Sequence, residues 1–231
     1  MLLSQFIQQL NNRNINLTDE MIEQLNEYAA YLKEYNEKVN LTAITEYEEV
    51  LDKHFYDSLL LVDRKIEGTL VDVGTGAGFP GLVLKIVFPD LKVILIEPIK
   101  KRCIFLNSLI DRLALKDIEV INDRGEDYCL KHREQYDYVT ARAVSNLNNL
   151  IEICGALVKV DGYFICLRGK NGKQELADAS KAIDIMGFSI ENSRIDYLFN
   201  GDERYISYLK KIKKTPTTYP RKYNIIKRNP L

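Results

Sequence analysis

Apolar residues recur every three or four positions through the first sixty residues, and the period then changes. Leu2, Leu3, Phe6, Ile7 and Leu10 mark one face of a short amphipathic helix. After the turn-like stretch from Asn11 to Asn16, Thr18 or Asp19 caps a second helix whose apolar face is Met21, Ile22, Leu25, Tyr28, Leu32, Tyr35 and Val39. Thr45-Glu46-Tyr47-Glu48 has the form of a capping box, in which a hydroxyl and a carboxylate satisfy each other's backbone N–H groups. It predicts a third helix carrying Val50, Leu51, Phe55, Leu59 and Val62. Three amphipathic helices in a row predict a small cap over residues 1–66.

From Thr69 short apolar runs alternate with helical stretches. The runs are Leu70–Val73, Val93–Ile96, Ile118–Ile121, Tyr136–Thr140 and Tyr163–Leu167. Continuous apolar strands separated by helices predict a parallel sheet covered on both faces. Two further strand-like runs, around Ser189–Phe199 and Tyr205–Ile212, flank Asn200-Gly201-Asp202, a hairpin signal. The predicted class is therefore α/β: a mostly parallel sheet over residues 67–231 that ends in an antiparallel hairpin.

Composition changes this picture little. The 231 residues are 46% hydrophobic and 28% charged, as in ordinary globular domains. No apolar run approaches the ~20 residues that span a bilayer, so no membrane association is expected. The N-terminus has neither a basic flank nor a small-residue cleavage site, so it is not expected to be an export signal. Cys103, Cys129, Cys154 and Cys166 are widely spaced, and three lie in apolar stretches, which fits buried thiols in the reducing cytoplasm. With His54 and His132 as the only histidines, no metal site is expected.

Charge is informative once it is mapped. The net formal charge is −1, yet acids outnumber bases from Thr18 to Glu67, and the stretch from Arg204 to Leu231 has nine Lys or Arg and no acid. Such sorting fits an anionic partner at the basic end, or simply a solvated tail.

The candidate chemistry sits in the segment Leu70-Val71-Asp72-Val73-Gly74-Thr75-Gly76-Ala77-Gly78-Phe79-Pro80-Gly81, which follows the first strand. Alternate glycines let a backbone turn sharply and bring a nucleotide-type ligand against bare N–H groups. Gly76, Gly78 and Gly81 match G-x-G-x-x-G formally, but three features argue against a dinucleotide. Asp72 would repel a pyrophosphate and attract an ammonium or sulfonium. The glycines of Gly74-x-Gly76-x-Gly78 sit in another register, and Pro80 lacks the N–H a phosphate would use. A zwitterionic cofactor with a cationic sulfur, S-adenosyl-L-methionine, fits better. Glu97, at the end of the second strand, can accept from both ribose hydroxyls. By fold analogy, Glu126 can accept from the adenine amine while Gly125 offers a backbone N–H.

Absent motifs narrow the acceptor. Amine methylation goes with an Asn/Asp-Pro-Pro-aromatic loop after the fourth strand, where this chain has Thr140-Ala141-Arg142-Ala143. Methylation of a pyrimidine carbon needs an activated cysteine, and Cys154 has no basic neighbour. Guanine N7 exposes a lone pair and needs no base. A small-molecule methyltransferase and a non-catalytic RNA-binding module stay open on the residues alone.

At this point the chain resembles the small-subunit ribosomal RNA guanine-N7 methyltransferases, the glucose-inhibited division protein B family. The matching segments are Asn40-Leu41-Thr42, His54-x-x-Asp57-Ser58-Leu59, the Asp72–Gly81 loop, Lys101-Arg102-x-x-Phe105-Leu106 and Arg142-Ala143. Gly162 through Gly169-Lys170, Tyr219-Pro220-Arg221-Lys222 and Pro230-Leu231 complete the series. The resemblance implies a Rossmann-like class I methyltransferase fold of about seven strands with an N-terminal helical cap. It also implies N7 methylation of one guanine in the decoding-region loop of 16S ribosomal RNA. Carried over by position, the cofactor contacts are Gly74, Phe79, Gly125, Glu126 and Arg142; Glu97 stands where many members have Asp.

Arg142 and His54 are the catalytic candidates. Arg142 follows a parallel strand at the edge where such sheets bind ligands; a lone helical His54 is as readily a packing residue. Lys101 and Arg102 open a helix, where the dipole disfavours cations, so RNA phosphate is a candidate partner. Lys170 lies between Gly169 and Gly172, near the expected substrate mouth. Arg221 and Lys222 sit among Tyr219 and Tyr223, a mix of cations and rings suited to single-stranded RNA. A monomer is expected.

Overall fold

A computed structural model describes residues 1–62, 66–142 and 145–231. Ala143 of the Arg142-Ala143 motif lies outside the described residues. Helices α1 (Leu3–Asn11) and α2 (Asp19–Asn36) follow the predicted apolar faces. Thr18, not Asp19, caps α2, its hydroxyl accepting from the Met21 N–H at 3.2 Å.

The third predicted helix forms, but its start and its pitch depart from the expectation. The N-cap is Glu46, without a side-chain capping bond, because the Glu46 carboxylate pairs with Lys33 at 3.0 Å instead. One turn of α3 (Tyr47–Val50) runs into a π-helical turn over Leu51–Tyr56 and closes as α4 (Asp57–Leu59). Bonding from i to i+5 stacks each residue over the one five later. Asp52 and Asp57 thereby share one face. In an α-helix five positions would turn them about 140° apart.

The remaining chain runs β1 (Thr69–Val73), α5 (Gly81–Val87), β2 (Lys92–Ile96), α6 (Lys100–Arg112), β3 (Ile118–Ile121), α7 (Gly125–Lys131), β4 (Tyr136–Ala141) and α8 (Leu147–Gly155). It continues through β5 (Val158–Arg168), α9 (Gly172–Asp178), α10 (Ser180–Ile185), β6 (Phe188–Tyr197), β7 (Glu203–Lys211) and α11 (Tyr223–Arg228). The strands form one seven-stranded sheet in the order β3-β2-β1-β4-β5-β7-β6. β1 to β5 are parallel, and β7 is antiparallel to both β5 and β6. Strand β5 begins five residues before the predicted Tyr163, and the hairpin closes through the predicted Asn200-Gly201-Asp202 turn.

Period-two burial divides the strands between two cores. Leu70, Val93 and Leu95 pack with Phe6, Tyr28 and Phe55 of the N-terminal helices, whereas Val71, Ile94 and Ile96 pack with Ile151, Phe164 and Ile183 on the other face. The helical cap is thus one wall of the first core. At roughly 25 cal/mol per Å² of apolar surface removed from water, this shared burial binds cap to sheet far more strongly than any surface ion pair. The strand order reverses between β1 and β4, and a crevice opens at their carboxyl ends, where open α/β sheets hold ligands.

The basic C-terminal stretch does not wave free. Arg221 reaches the completely buried Glu152 of α8 through Nε at 2.7 Å and Nη2 at 2.6 Å, and its own N–H donates to the same carboxylate at 3.0 Å. Arg133 Nη2 donates to the Thr215 carbonyl at 3.0 Å, and Nη1 to that of Tyr219. Among the described residues no helix is long and apolar enough to cross a membrane. All four cysteines are buried and unpaired.

Candidate active site

The loop after β1 is shaped from beneath. Asp72 is fully buried, and its Oδ2 accepts from the Thr75 hydroxyl at 2.6 Å and the Gly81 N–H at 2.8 Å. Its position beside the loop was expected; its withdrawal into the fold was not. Burial pushes the Asp72 carboxyl up to about 6, the hydrogen bonds from Thr75 and Gly81 opposing that rise. Oδ1 accepts no hydrogen bond. Gly78 adopts φ +105°, and a Cβ there would stand 2.6 Å from the Tyr28 hydroxyl, which itself donates to the Ala77 carbonyl at 2.5 Å. The cap therefore holds the loop directly.

Above the loop lies a cavity of about 340 Å³ lined by Gly74, Gly76, Phe79, Glu97, Arg102 and Arg142, among others. Gly76 has φ +63°, and a Cβ built on it meets nothing within 4 Å, so its backbone borders open space. Glu97, 1% exposed, closes the β2 end: Oε2 accepts from the Gly76 N–H at 3.0 Å and Oε1 from the Ile99 N–H at 2.9 Å. Each oxygen retains a lone pair for a ligand hydroxyl.

Arg142 and His54 stand at the other end. The His54 ring stacks on Phe79 at 4.3 Å between centroids, and the Arg142 guanidinium lies 5.1 Å from the same ring. His54 Nδ1 is 3.1 Å from the Lys53 carbonyl, and Nε2 is 3.0 Å from the Thr42 hydroxyl. Nδ1 also lies 3.4 Å from Arg142 Nη2, which only donates, whereas the Lys53 carbonyl only accepts; the shorter contact puts the proton on Nδ1, and Nε2 accepts from Thr42. Burial, reinforced by the Arg142 cation, lowers His54 to about 3. It is a neutral imidazole throughout the physiological range.

The π-helical turn supplies the residue that joins these groups. Asp57, 3% exposed, accepts from Arg142 Nη1 at 2.8 Å on one oxygen and from Arg204 Nε at 2.5 Å on the other. Five positions earlier, Asp52 accepts from the Phe199 and Asn200 N–H groups of the β6–β7 turn at 2.8 and 3.1 Å. A second cavity, about 490 Å³, shares Arg142 and His54 with the first and extends past Asp57, Arg168, Glu175 and Arg204. Arg142, Arg168 and Arg204 lie at the same edge of the neighbouring strands β4, β5 and β7. The two cavities form one bent cleft with Arg142 and His54 at the bend.

The structure thus brings Gly74, Phe79, Glu97, Arg142 and His54 together. Gly125 and Glu126 open α7 at the end of β3, and Glu126 lines a different recess, one it shares with Arg221 and Lys222 of the tail. Arg102 faces Glu97 at 3.7 Å and borders the first cavity, so its charge is partly committed there instead of to an outside phosphate. Arg221 is committed to Glu152. Lys101, Lys170 and Lys222 are exposed. Sequence reasoning gave no role to Asp57 as a bridge, to Arg204 or to Glu175. Asp57 did fall in a quoted motif, but its partner Arg204 is 147 residues away. Among the described residues no group of three His, Cys, Asp or Glu is placed to hold a metal.

Comparison with known proteins agrees with this geometry. The family model described as "GidB: rRNA small subunit methyltransferase G" matches residues 21–206. The Ribosomal RNA small subunit methyltransferase G of Alkaliphilus metalliredigens is 45% identical over 93% of this chain and 92% of its own. That of Leuconostoc mesenteroides is 42% identical over 98% of each. Among solved structures, M. jannaschii TYW2 in complex with AdoMet superposes with a TM-score of 0.56 at 13% identity, covering 68% of this chain and 75% of that one, a likeness of fold.

Proposed function

Because the chain belongs to the rRNA small subunit methyltransferase G family, we propose that it transfers a methyl group from S-adenosyl-L-methionine to N7 of one guanine in 16S ribosomal RNA. The observation that carries the acceptor assignment is the bend of the cleft, where His54 is a neutral and very weak base and both oxygens of Asp57 are taken up by Arg142 and Arg204. Such a site suits an acceptor atom that has no proton to lose.

The residues present fit the cofactor. Gly76 leaves open space at the loop, and Glu97 offers lone pairs at the β2 end. Gly74, Phe79, Glu97 and Arg142 would hold S-adenosylmethionine in the first cavity, with Gly125 and Glu126 toward its adenine. When bound, it supplies an electrophilic methyl group that the N7 lone pair takes up without loss of a proton.

The protein's part is orientation. His54 and Phe79 present a stacked, apolar wall, while Arg142 is fixed by Asp57. The purine becomes cationic as N7 is methylated, so an unpaired arginine beside it would oppose the reaction. Asp57 neutralises Arg142 and removes that penalty. The second cavity receives the guanine, and Lys101, Lys170 and Lys222 are the proposed phosphate contacts. The chain is read as a cytoplasmic monomer working without a metal, with residues 1–66 as cap and 67–231 as the cofactor-binding unit.

The test is to incubate the protein with methyl-labelled cofactor and small subunits or 16S RNA from a strain lacking it, and to map the product. Label at a guanine N7 is the expected result. Label on an amine or carbon, or none on any ribosomal substrate, overturns it.

A further inference from the structure

The second cavity has a wall that methyl transfer itself does not require. Gly172 opens α9 where a Cβ would stand 2.5 Å from Tyr205 Cβ and 2.8 Å from Arg168 Cβ. The missing side chain lets α9 press against the ends of β5 and β7, and one turn later Glu175 meets Arg168. Arg168, 14% exposed, donates through Nε at 2.8 Å and Nη2 at 2.5 Å to a single oxygen of Glu175, Oε2. The other oxygen, Oε1, accepts no hydrogen bond from the described residues. Both oxygens of the second carboxylate at this cavity, Asp57, are taken up by Arg142 and Arg204. Glu175 is therefore a half-satisfied acceptor, held in place by an arginine and bordering the space beyond the bend.

Resting on the guanine-N7 function proposed above, we infer that Glu175 is the residue that selects guanine, its free Oε1 accepting from the adjacent N1–H and N2 amine of the base. Three points of chemistry support this. A carboxylate only accepts, and the Watson–Crick edge of guanine presents two adjacent donors, whereas adenine presents an acceptor at N1 that the carboxylate would repel. The placement suits a purine: Arg142 and His54 stand at the bend, and Glu175, held by Arg168 at the end of the adjacent β5, lines the same cavity. A base seated there with N7 at the bend turns its N1–N2 edge the other way, toward Glu175. Finally, methylation makes the purine cationic and its N1–H more acidic. The hydrogen bond to Glu175 then strengthens as the transition state forms, an interaction that raises kcat as well as affinity.

The experiment uses small subunits reconstituted on 16S transcripts carrying guanine or inosine at the mapped position; inosine keeps N7 and N1–H and lacks the N2 amine. The native protein should prefer guanine by about 10-fold or more, and Glu175→Ala should lower kcat/KM on guanine by roughly 10- to 100-fold, the range for losing a charge-assisted base contact. In the variant guanine and inosine should become equivalent. Glu175→Gln, which keeps the shape, should also lose the preference, while S-adenosylmethionine affinity measured by calorimetry stays within a few-fold and reports an intact fold. Preserved discrimination in either variant, or equal use of both bases by the native protein, overturns the inference while leaving N7 methylation standing. No N7 methylation of guanine by the native protein would sink the parent function, and this inference with it.

Discussion

Replacing Asp57 by Asn tests the bridge on which the cleft depends. Asn is nearly isosteric, so the cavity term is small and the change isolates charge and hydrogen bonding. Native Asp57 receives one charge-assisted bond from each arginine at 2.8 and 2.5 Å, with the Arg142 and Arg204 side chains 16% and 19% exposed. Asn can accept from one of them but turns an amide N–H₂ toward the other. Each such bond contributes about 1.5–3 kcal/mol, and leaving one partner of a buried pair unmatched costs about 3–5 kcal/mol. The arginines keep some contact with water, which places the loss near the lower figure, about 3 kcal/mol. For a chain of this size that corresponds to a fall in Tm of about 6–12 °C. Urea titrations should show a lower midpoint at unchanged slope, the mark of lost stability without a change in the surface exposed. Methyl transfer should fall more than cofactor affinity, because Arg142 and Arg204 lose their shared anchor. A variant within 1 kcal/mol of the parent, with normal turnover, would show that the two arginines hold position without Asp57.

Other consequences follow from the same groups. His54 has a folded pKa near 3 against 6.5 for the free side chain, so the folded state binds fewer protons; its contribution to stability is lost as pH falls from 6.5 toward 3. Between pH 7 and 5 the parent should lose about 2 kcal/mol that His54→Gln does not, measured by paired urea titrations; parallel curves refute it. The raised Asp72 carboxyl acts with opposite sign, its folded state favouring the proton and losing stability as pH rises toward about 6, but it is common to both proteins and cancels in the difference. Arg221→Ala strips the side-chain partner from Glu152 and should cost about 3 kcal/mol in thermal or urea unfolding, whereas a cost under 1 would mark the tail as a loosely held appendage. The triple change of Lys101, Lys170 and Lys222 to Ala should flatten the dependence of log RNA affinity on log salt by about 0.7–0.9 per contact, and an unchanged slope would remove these lysines from the interface.

Much of the architecture was legible because periodicity reports burial, and burial is shared by every residue on a face. The continuous apolar runs at Leu70–Val73 and Val93–Ile96 mark strands covered on both sides, and the two cores fulfil it. The loop glycines were legible for a similar reason: Gly76 and Gly78 take positive φ angles that other residues avoid. What stayed hidden depends on pairings that local patterns do not encode. Thr45 and Glu48 satisfy the capping-box rule, yet the helix begins one residue later and Glu46 is drawn to Lys33. Arg221 reads as a free cation until Glu152, 69 residues earlier, is found against it. Asp57 looks like a helical acid in the sequence. Its work as a bridge needs Arg142 and Arg204, brought in from separate strands, and a change of helical pitch that no spacing rule announces.

That change of pitch bears on how this segment can evolve. The π-helical turn holds one more residue per turn than the helix on either side, and the extra residue puts Asp52 under the hairpin tip and Asp57 between its arginines. Excising one amino acid between Asp52 and Asp57 would let the coil relax to α-helical pitch, where residues four apart again share a face, so the downstream chain would keep its bearing while one of the side chains between the two acids was lost. The π turn is therefore a local addition to the helix, one that sets His54, Phe55 and Tyr56 in consecutive buried positions without redirecting the rest of the chain.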